Sequence, residues 1–319
     1  MRRKDETPTS SQTYKSENMG CIKENGILLH LINVLLLLNF LLGFVLNQNG
    51  ELFNGMFATN SLRVMEKSVL NLGTLIISLQ AYDYLKSHKH LLEFFMLLLS
   101  TLLGMFFMIS SNNLLMFYLG LELSSIPLAA MANFDMDKIK SSEAAVKMIL
   151  SSAFASALML FGISFLYGTS GTLNFQELVS LITGSPLQVF ALLLVFSGFA
   201  FKLSAVPFHL WTADVYEGAP VAVTSYLSVI SKAAIVFVTL SSLAPLFSHL
   251  NEMWYHLLFV TIILTITLGN IFAIRQDNIK RFLAFSSISQ VGFILLGISS
   301  ALQQVLHRPS IFWWFIFSP

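Results

Sequence analysis

Nine long apolar runs, separated by short polar intervals, set the pattern of the chain: 27–46, 64–85, 91–110, 113–132, 142–168, 187–216, 219–242, 254–274 and 281–301. Each supplies the ~20 residues a helix needs to cross the hydrocarbon core of a bilayer. The pattern therefore predicts an all-α polytopic membrane protein of about nine transmembrane helices. The run 187–216 holds Pro207 near its middle, and a proline removes a backbone donor and breaks a helix. Two flanks depart from the pattern. Residues 1–26 are polar, carry five Lys/Arg, and read as a disordered tail rather than a signal peptide. After Gln304 the chain stops in HRPSIFWWFIFSP, an aberrant end over 304–319 that reads as truncation or a shifted reading frame.

Composition agrees with the membrane reading. The 319 residues are 55% hydrophobic and 11% charged, against about 25% charged in a soluble domain. The net charge of +1 gives no reason to expect a nucleic-acid partner. The single cysteine, Cys21, excludes a Cys₄ iron–sulfur cluster and an internal disulfide framework. Neither a GxGxxG nor a Walker A pattern occurs. No cofactor is expected in this chain, and its energy is expected from a partner or an ion gradient. Lys and Arg fall unevenly on alternate sides of the runs. The tail, Lys86, Lys89, Lys138, Lys140, Arg275, Lys280 and Arg281 share one side; Arg63, Lys67 and Arg308 share the other. The first side is the cytoplasmic (or matrix) side by the positive-inside rule.

Against this apolar background, ionisable residues within the runs carry the chemistry. A lysine at a membrane helix centre costs roughly 2.5–3.5 kcal/mol on insertion scales, and such residues usually line ion paths. Lys202 stands just before the break at Pro207, and Lys232 lies about 13 residues into the next helix, roughly 20 Å of rise. Glu122 sits mid-run on one face with Tyr118 and Ser125. A buried carboxylate needs a cation or holds a proton, and Lys202 is its candidate partner. Glu143 and Lys147 are four apart and can pair across one helical turn, so Lys147 suits a structural and a functional role equally. His209, beside the break, is similarly balanced between a satisfied structural histidine and a proton carrier. Asp214 and Glu217 are expected near the cytoplasmic connection, solvated. Thr224, Ser228 and Ser231 form a stripe with Lys232, and the last run offers Ser286 and Gln290; ordinary helix packing accounts for such hydroxyls. A chain Glu122–Lys202–Lys232 could load and release a proton as the carboxylate's influence changes.

The segments LLMFYLGLELSSIPLAA, SSEAAVKMILSSAFASALMLFGISFLYGTSGTL, GFAFKLSAVPFHLWTADVYEGAP and DNIKRFLAFSSISQVGF closely resemble the antiporter-like membrane subunits of respiratory NADH:quinone oxidoreductase (complex I), of the bacterial subunit N or mitochondrial subunit 2 type. The likeness covers about residues 60–303. It implies a fourteen-helix fold of two inverted five-helix repeats, each with one broken helix. On that reading 27–89 is a peripheral helical region, 90–242 the first repeat and 243–303 the start of an incomplete second. The resemblance makes Glu122 and Lys202 a Glu–Lys pair, Lys232 the central proton-channel lysine, Lys147 a modulator and Pro207 the helix break. NADH, FMN, iron–sulfur clusters and quinone would belong to other subunits, and related antiporter-like subunits and the lipid bilayer would be the partners. A bacterial inner membrane is the expected location, with the mitochondrial inner membrane as the alternative. Relatives begin with a helix not found here and continue into a second broken helix. Ser289-Gln290 replaces the Ser-His of many relatives, so no histidine role carries over there. Three readings compete: a non-redox, proton-translocating complex I subunit; a subunit of a cation/proton antiporter or membrane-bound hydrogenase arm; and an inactive structural fragment.

Overall fold

The computed structural model describes residues 10–45, 49–243, 246 and 251–307. Helices succeed one another almost without interruption: α1 (Ser10–Val45), α2 (Ser61–Gln80), α3 (Tyr82–Lys86), α4 (Leu91–Ser110), α5 (Leu114–Ala132), α6 (Ile139–Ser170), α7 (Phe175–Leu181), α8 (Pro186–Leu203), α9 (Leu210–Gly218), α10 (Val221–Tyr226), α11 (Lys232–Val238), α12 (Asn251–Ile274) and α13 (Ile279–His307). A short hairpin, β1 (Gly50–Leu52) with β2 (Phe57–Thr59), joins α1 to α2. Helix α1 begins at Ser10, within the stretch expected as a disordered polar tail. The end over 304–319, expected to be aberrant, falls largely outside the described residues.

Among the described residues, eight helices are long and apolar enough to cross a membrane. The ninth expected span is α2, which has 20 residues but carries Arg63, Glu66 and Lys67 in its first two turns. Helix ends follow local chemistry. Asn60, Asn113 and Asn174 each accept a backbone N–H in the first turn of the helix they precede, an N-cap worth about 1 kcal/mol. Helix α6 ends at Gly171, which takes the left-handed conformation (φ 74°) that glycine adopts without a Cβ clash.

Lipid gives helices no hydrophobic reason to associate, so close packing of small residues must hold them. Helices α4 and α5 meet at Gly104 and Gly120: a Cβ on Gly120 would stand 2.7 Å from the Met108 amide nitrogen. Large apolar residues such as Leu119, Phe154 and Phe259 face outward. Polar ties are buried between helices, among them Ser78 to Asn33 (2.6 Å) and Thr101 to the Tyr226 hydroxyl (2.9 Å).

The loops fall on two faces. Asn25 donates to the carbonyls of Lys86 and His88, Tyr84 to Asp135, and Lys280 to the carbonyls of Glu217 and Ala219. With the ion pairs of Lys138 to Asp135 and of Lys140 and Arg281 to Glu217, those contacts gather Lys86, Lys138, Lys140, Lys280 and Arg281 on one side. Arg63 reaches Asn112 on the other, where Asn113 pairs with Asn174. The partition matches the charge asymmetry read from the sequence.

Candidate functional site

Helix α8 ends at Leu203, one residue after Lys202. Ser204 turns into the left-handed region (φ 64°), Val206-Pro207 is a cis peptide, and α9 resumes at Leu210. The freed backbone groups find partners, as burial in a membrane requires. The Ala205 amide donates to Ala200, the Phe208 amide to Ala205, and the Val206 amide to the Thr265 hydroxyl of α12 (3.1 Å). Trp211 spans the break: its indole stacks on Phe201 and donates to the Phe201 carbonyl. Lys202 therefore lies at the exposed carbonyl end of α8, the negative pole of that half-helix.

The Lys202 side chain is 7% exposed, and its ammonium donates to the Ser125 hydroxyl of α5. The expected direct Glu122–Lys202 ion pair is not among the ion pairs of the described residues. Glu122 and Ser125 are three apart and share a helix face, and the lysine docks one turn along from the carboxylate. Glu122 Oε1 is buried without a hydrogen-bond partner among the described residues.

Lys232 is 5% exposed and opens α11 directly after a π-helical turn, Leu227–Ser231. Such turns are rare and frequent at functional sites. The Lys232 Nζ donates to Ser287 of α13 (3.0 Å) and lies 5.8 Å from the centre of the Tyr216 ring of α9. Sequence reading singled out Ser286 and Gln290 on α13, but Ser287 is the residue that faces the lysine and Gln290 is exposed. On a helix one residue is a rotation of about 100°, so the correct face is legible only once a partner is known.

In the chain between the two lysines stand four side chains with buried polar atoms, Ser204, His209, Thr212 and Tyr216; Ser204 Oγ and Thr212 Oγ1 have no hydrogen-bond partner among the described residues. His209, Thr212 and Tyr216 follow i, i+3, i+7 spacing and so share one face of α9. His209 also stacks against Phe272 of α12. Thr212 and Tyr216 went unremarked in the sequence, although the spacing from His209 marks them.

Lys147 lies elsewhere. It is exposed, and pairs with Glu143 one turn away (2.7 Å) and with Asp214 of α9 (2.7 Å). Asp214 also binds Arg281 (2.8 Å), Arg281 binds Glu217 (3.0 Å), and Glu217 binds Lys140 (2.8 Å). Asp214 and Glu217 are thus partly buried members of an ion-pair network rather than freely solvated charges. Among the described residues, no three His, Cys, Asp or Glu side chains gather as a metal site.

The family model described as "NADH:quinone oxidoreductase/Mrp antiporter, TM" matches residues 111–314. Similar proteins include NADH-quinone oxidoreductase subunit N of Phocaeicola vulgatus, 51% identical over 257 residues, covering 79% of this chain and 54% of the relative. Subunit N of Pelagibacter ubique is 39% identical over 269 residues, covering 84% and 57%. The chain spans about half the length of the curated relatives it matches. Among solved structures, respiratory complex I from Thermus thermophilus with bound aureothin aligns with a TM-score of 0.70 at 29% identity, over 91% of this chain and 61% of that one. An archaeal membrane-bound sulfane sulfur reductase, at 23% identity and a TM-score of 0.71, shares the fold.

Proposed function

Because the chain belongs to the membrane family of NADH:quinone oxidoreductases and Mrp antiporters, we propose that it is a non-redox, proton-carrying membrane subunit of a respiratory NADH:quinone oxidoreductase. It would sit in a bacterial inner membrane beside related antiporter-like subunits. Hydride and electron transfer to quinone would take place in other subunits, which would hold the FMN and iron–sulfur clusters.

The observation that carries this reading is the two buried lysines, Lys202 and Lys232, with a row of buried polar side chains between them in the chain. Buried polar atoms without a protein partner are costly and call for water or another polar group. Here His209, Thr212 and Tyr216 share one face of α9, the Tyr216 ring lies beside the Lys232 ammonium, and Ser204 follows Lys202 by two residues. Each lysine has a hydroxyl within reach, Ser125 for Lys202 and Ser287 for Lys232. A proton released at one Nζ can pass along Ser204, His209, Thr212 and Tyr216, bridged by water, to the other. Glu122 is the switch: when its charge acts on Lys202 it favours the loaded lysine, and when that influence is withdrawn the proton moves on. Moving one charge against 100 mV costs about 2.3 kcal/mol, the size of a change of one to two pKa units at a lysine. Lys147, bound outside this row, would act only as a modulator through Asp214.

The test is redox-driven proton uptake in proteoliposomes containing the native assembly. Lys232→Ala is expected to abolish the uptake attributable to this subunit while NADH oxidation persists. Sodium-dependent proton exchange with no redox partners co-purifying would replace this reading with that of an antiporter subunit.

A further inference from the structure

The two groups that hold the Lys232 ammonium come from two helices, the Tyr216 ring from α9 and the Ser287 hydroxyl from α13. Those same helices are joined by the ion-pair network at their ends. Helix α9 presents Asp214 and Glu217, three apart, on either side of Tyr216 in sequence. Arg281 of α13 takes both carboxylates through one nitrogen, at 2.8 and 3.0 Å. Its neighbour Lys280 donates to the carbonyls of Glu217 and Ala219 (3.3 and 2.9 Å), where a cation meets the negative end of α9. On the opposite flank, Lys140 and Lys147 of α6 take Glu217 and Asp214. The seat is close: a Cβ on Gly218 would lie 2.2 Å from the Lys140 carbonyl oxygen. Four cations from two helices therefore grip one short half-helix that is only nine residues long and has lost continuity with α8.

We infer that Arg281 is a positioning residue for proton transfer: by clamping α9 to α13 through Asp214 and Glu217, it sets Tyr216 and Ser287 at the separation that cages Lys232. Surface ion pairs in isolation contribute little, but a network with shared members can fix geometry. The inference rests on the proton path proposed above. Arg281 and Ser287 sit six residues apart on α13, so a displacement at the network carries directly to the hydroxyl that Lys232 uses. The charged groups around this joint are Lys140, Glu143 and Lys147 on α6, Asp214 and Glu217 on α9, and Lys280 and Arg281 on α13.

The experiment compares protons taken up per NADH oxidised in proteoliposomes of the full assembly. Arg281→Gln is expected to lower that ratio several-fold without an equal fall in NADH oxidation, and Arg281→Lys to restore most of it. Ser287→Ala is expected to lower it similarly, and the Arg281→Gln/Ser287→Ala double variant no further than Ser287→Ala alone. A wild-type ratio in Arg281→Gln, or additive losses in the double variant, overturns the inference. Should Arg281→Gln fail to assemble, Asp214→Asn and Glu217→Gln decide it: a reduced ratio in both supports the clamp, and a wild-type ratio in both overturns it. A wild-type ratio in Lys232→Ala would instead remove the proton path itself, so the two failures are distinguishable.

Discussion

At Lys202 the ammonium meets Ser125, while Glu122, one turn earlier on α5, keeps a buried oxygen without a partner. A neutral hydroxyl holds the cation in place without neutralising it, which leaves the lysine responsive to charge nearby. A direct ion pair would have tied the proposed loading of the lysine to one rigid contact. Outside the membrane the residue-scale logic is reversed. Asp135 is partly buried, which alone would raise its carboxyl, but hydrogen bonds from Lys138 (2.7 Å) and Tyr84 (2.8 Å) outweigh burial and hold it below the usual carboxylate range. A depressed carboxyl contributes stability that is fully present above its ordinary value near ~4 and is lost as the pH falls through the folded value. The thermal stability of the detergent-solubilised chain is therefore expected to fall on acidification below that range, by about 1 kcal/mol from this site. Asp135→Asn should flatten that part of the profile; an unchanged acid limb would assign the loss to other groups.

Among the helices, packing depends on how near two backbones can come. The α4–α5 crossing is built on Gly104 and Gly120, where an added methyl meets main chain rather than a flexible side chain. Gly120→Ala is expected to lower stability by about 1–3 kcal/mol, the usual penalty of overpacking. Gly168→Ala, where nothing lies within 4 Å of the added carbon, is expected to leave the melting temperature in detergent unchanged or slightly raised. An equal drop in both would refute the crossing as the cause. The helices themselves, their order and the break at Pro207 were legible in the sequence because length, apolarity and proline act locally. Glu122, Lys202 and Lys232 stood out because a charge in an apolar run is conspicuous. What was not legible is relational. Ser287 differs from Ser286 only in which way it faces, Tyr216 reads as one more aromatic until it stands over a lysine, and Arg281 looked like one more cytoplasmic anchor. The π-helical turn has no sequence signature in Leu227–Ser231 that separates it from α-helix.

For the molecule as a whole, the two faces divide the basic residues as the hydropathy and charge pattern requires. Lys86, Lys138, Lys140, Lys280 and Arg281 share the side on which α9 ends, and Arg63 belongs to the other. With Cys21 replaced by serine, a cysteine placed at Lys138 is expected to react with a membrane-impermeant thiol reagent only from the cytoplasmic side. One placed at Thr172 is expected to react only from the opposite side. The reverse pattern would invert the molecule in the membrane.

The π-helical turn before Lys232 gives the helix a phase offset. Five residues there occupy space that regular α-helix would fill with fewer, so the segment Val221–Tyr226 and the segment from Lys232 onward are wound out of step. Point substitutions leave that offset intact. Were the same residues to wind as regular α-helix, the segment beyond would swing by about 100° relative to the segment before it. The lysine would keep its place in the sequence and lose its address in the bundle. The place of Lys232 in the bundle therefore depends on how this turn is wound as well as on which residues it holds.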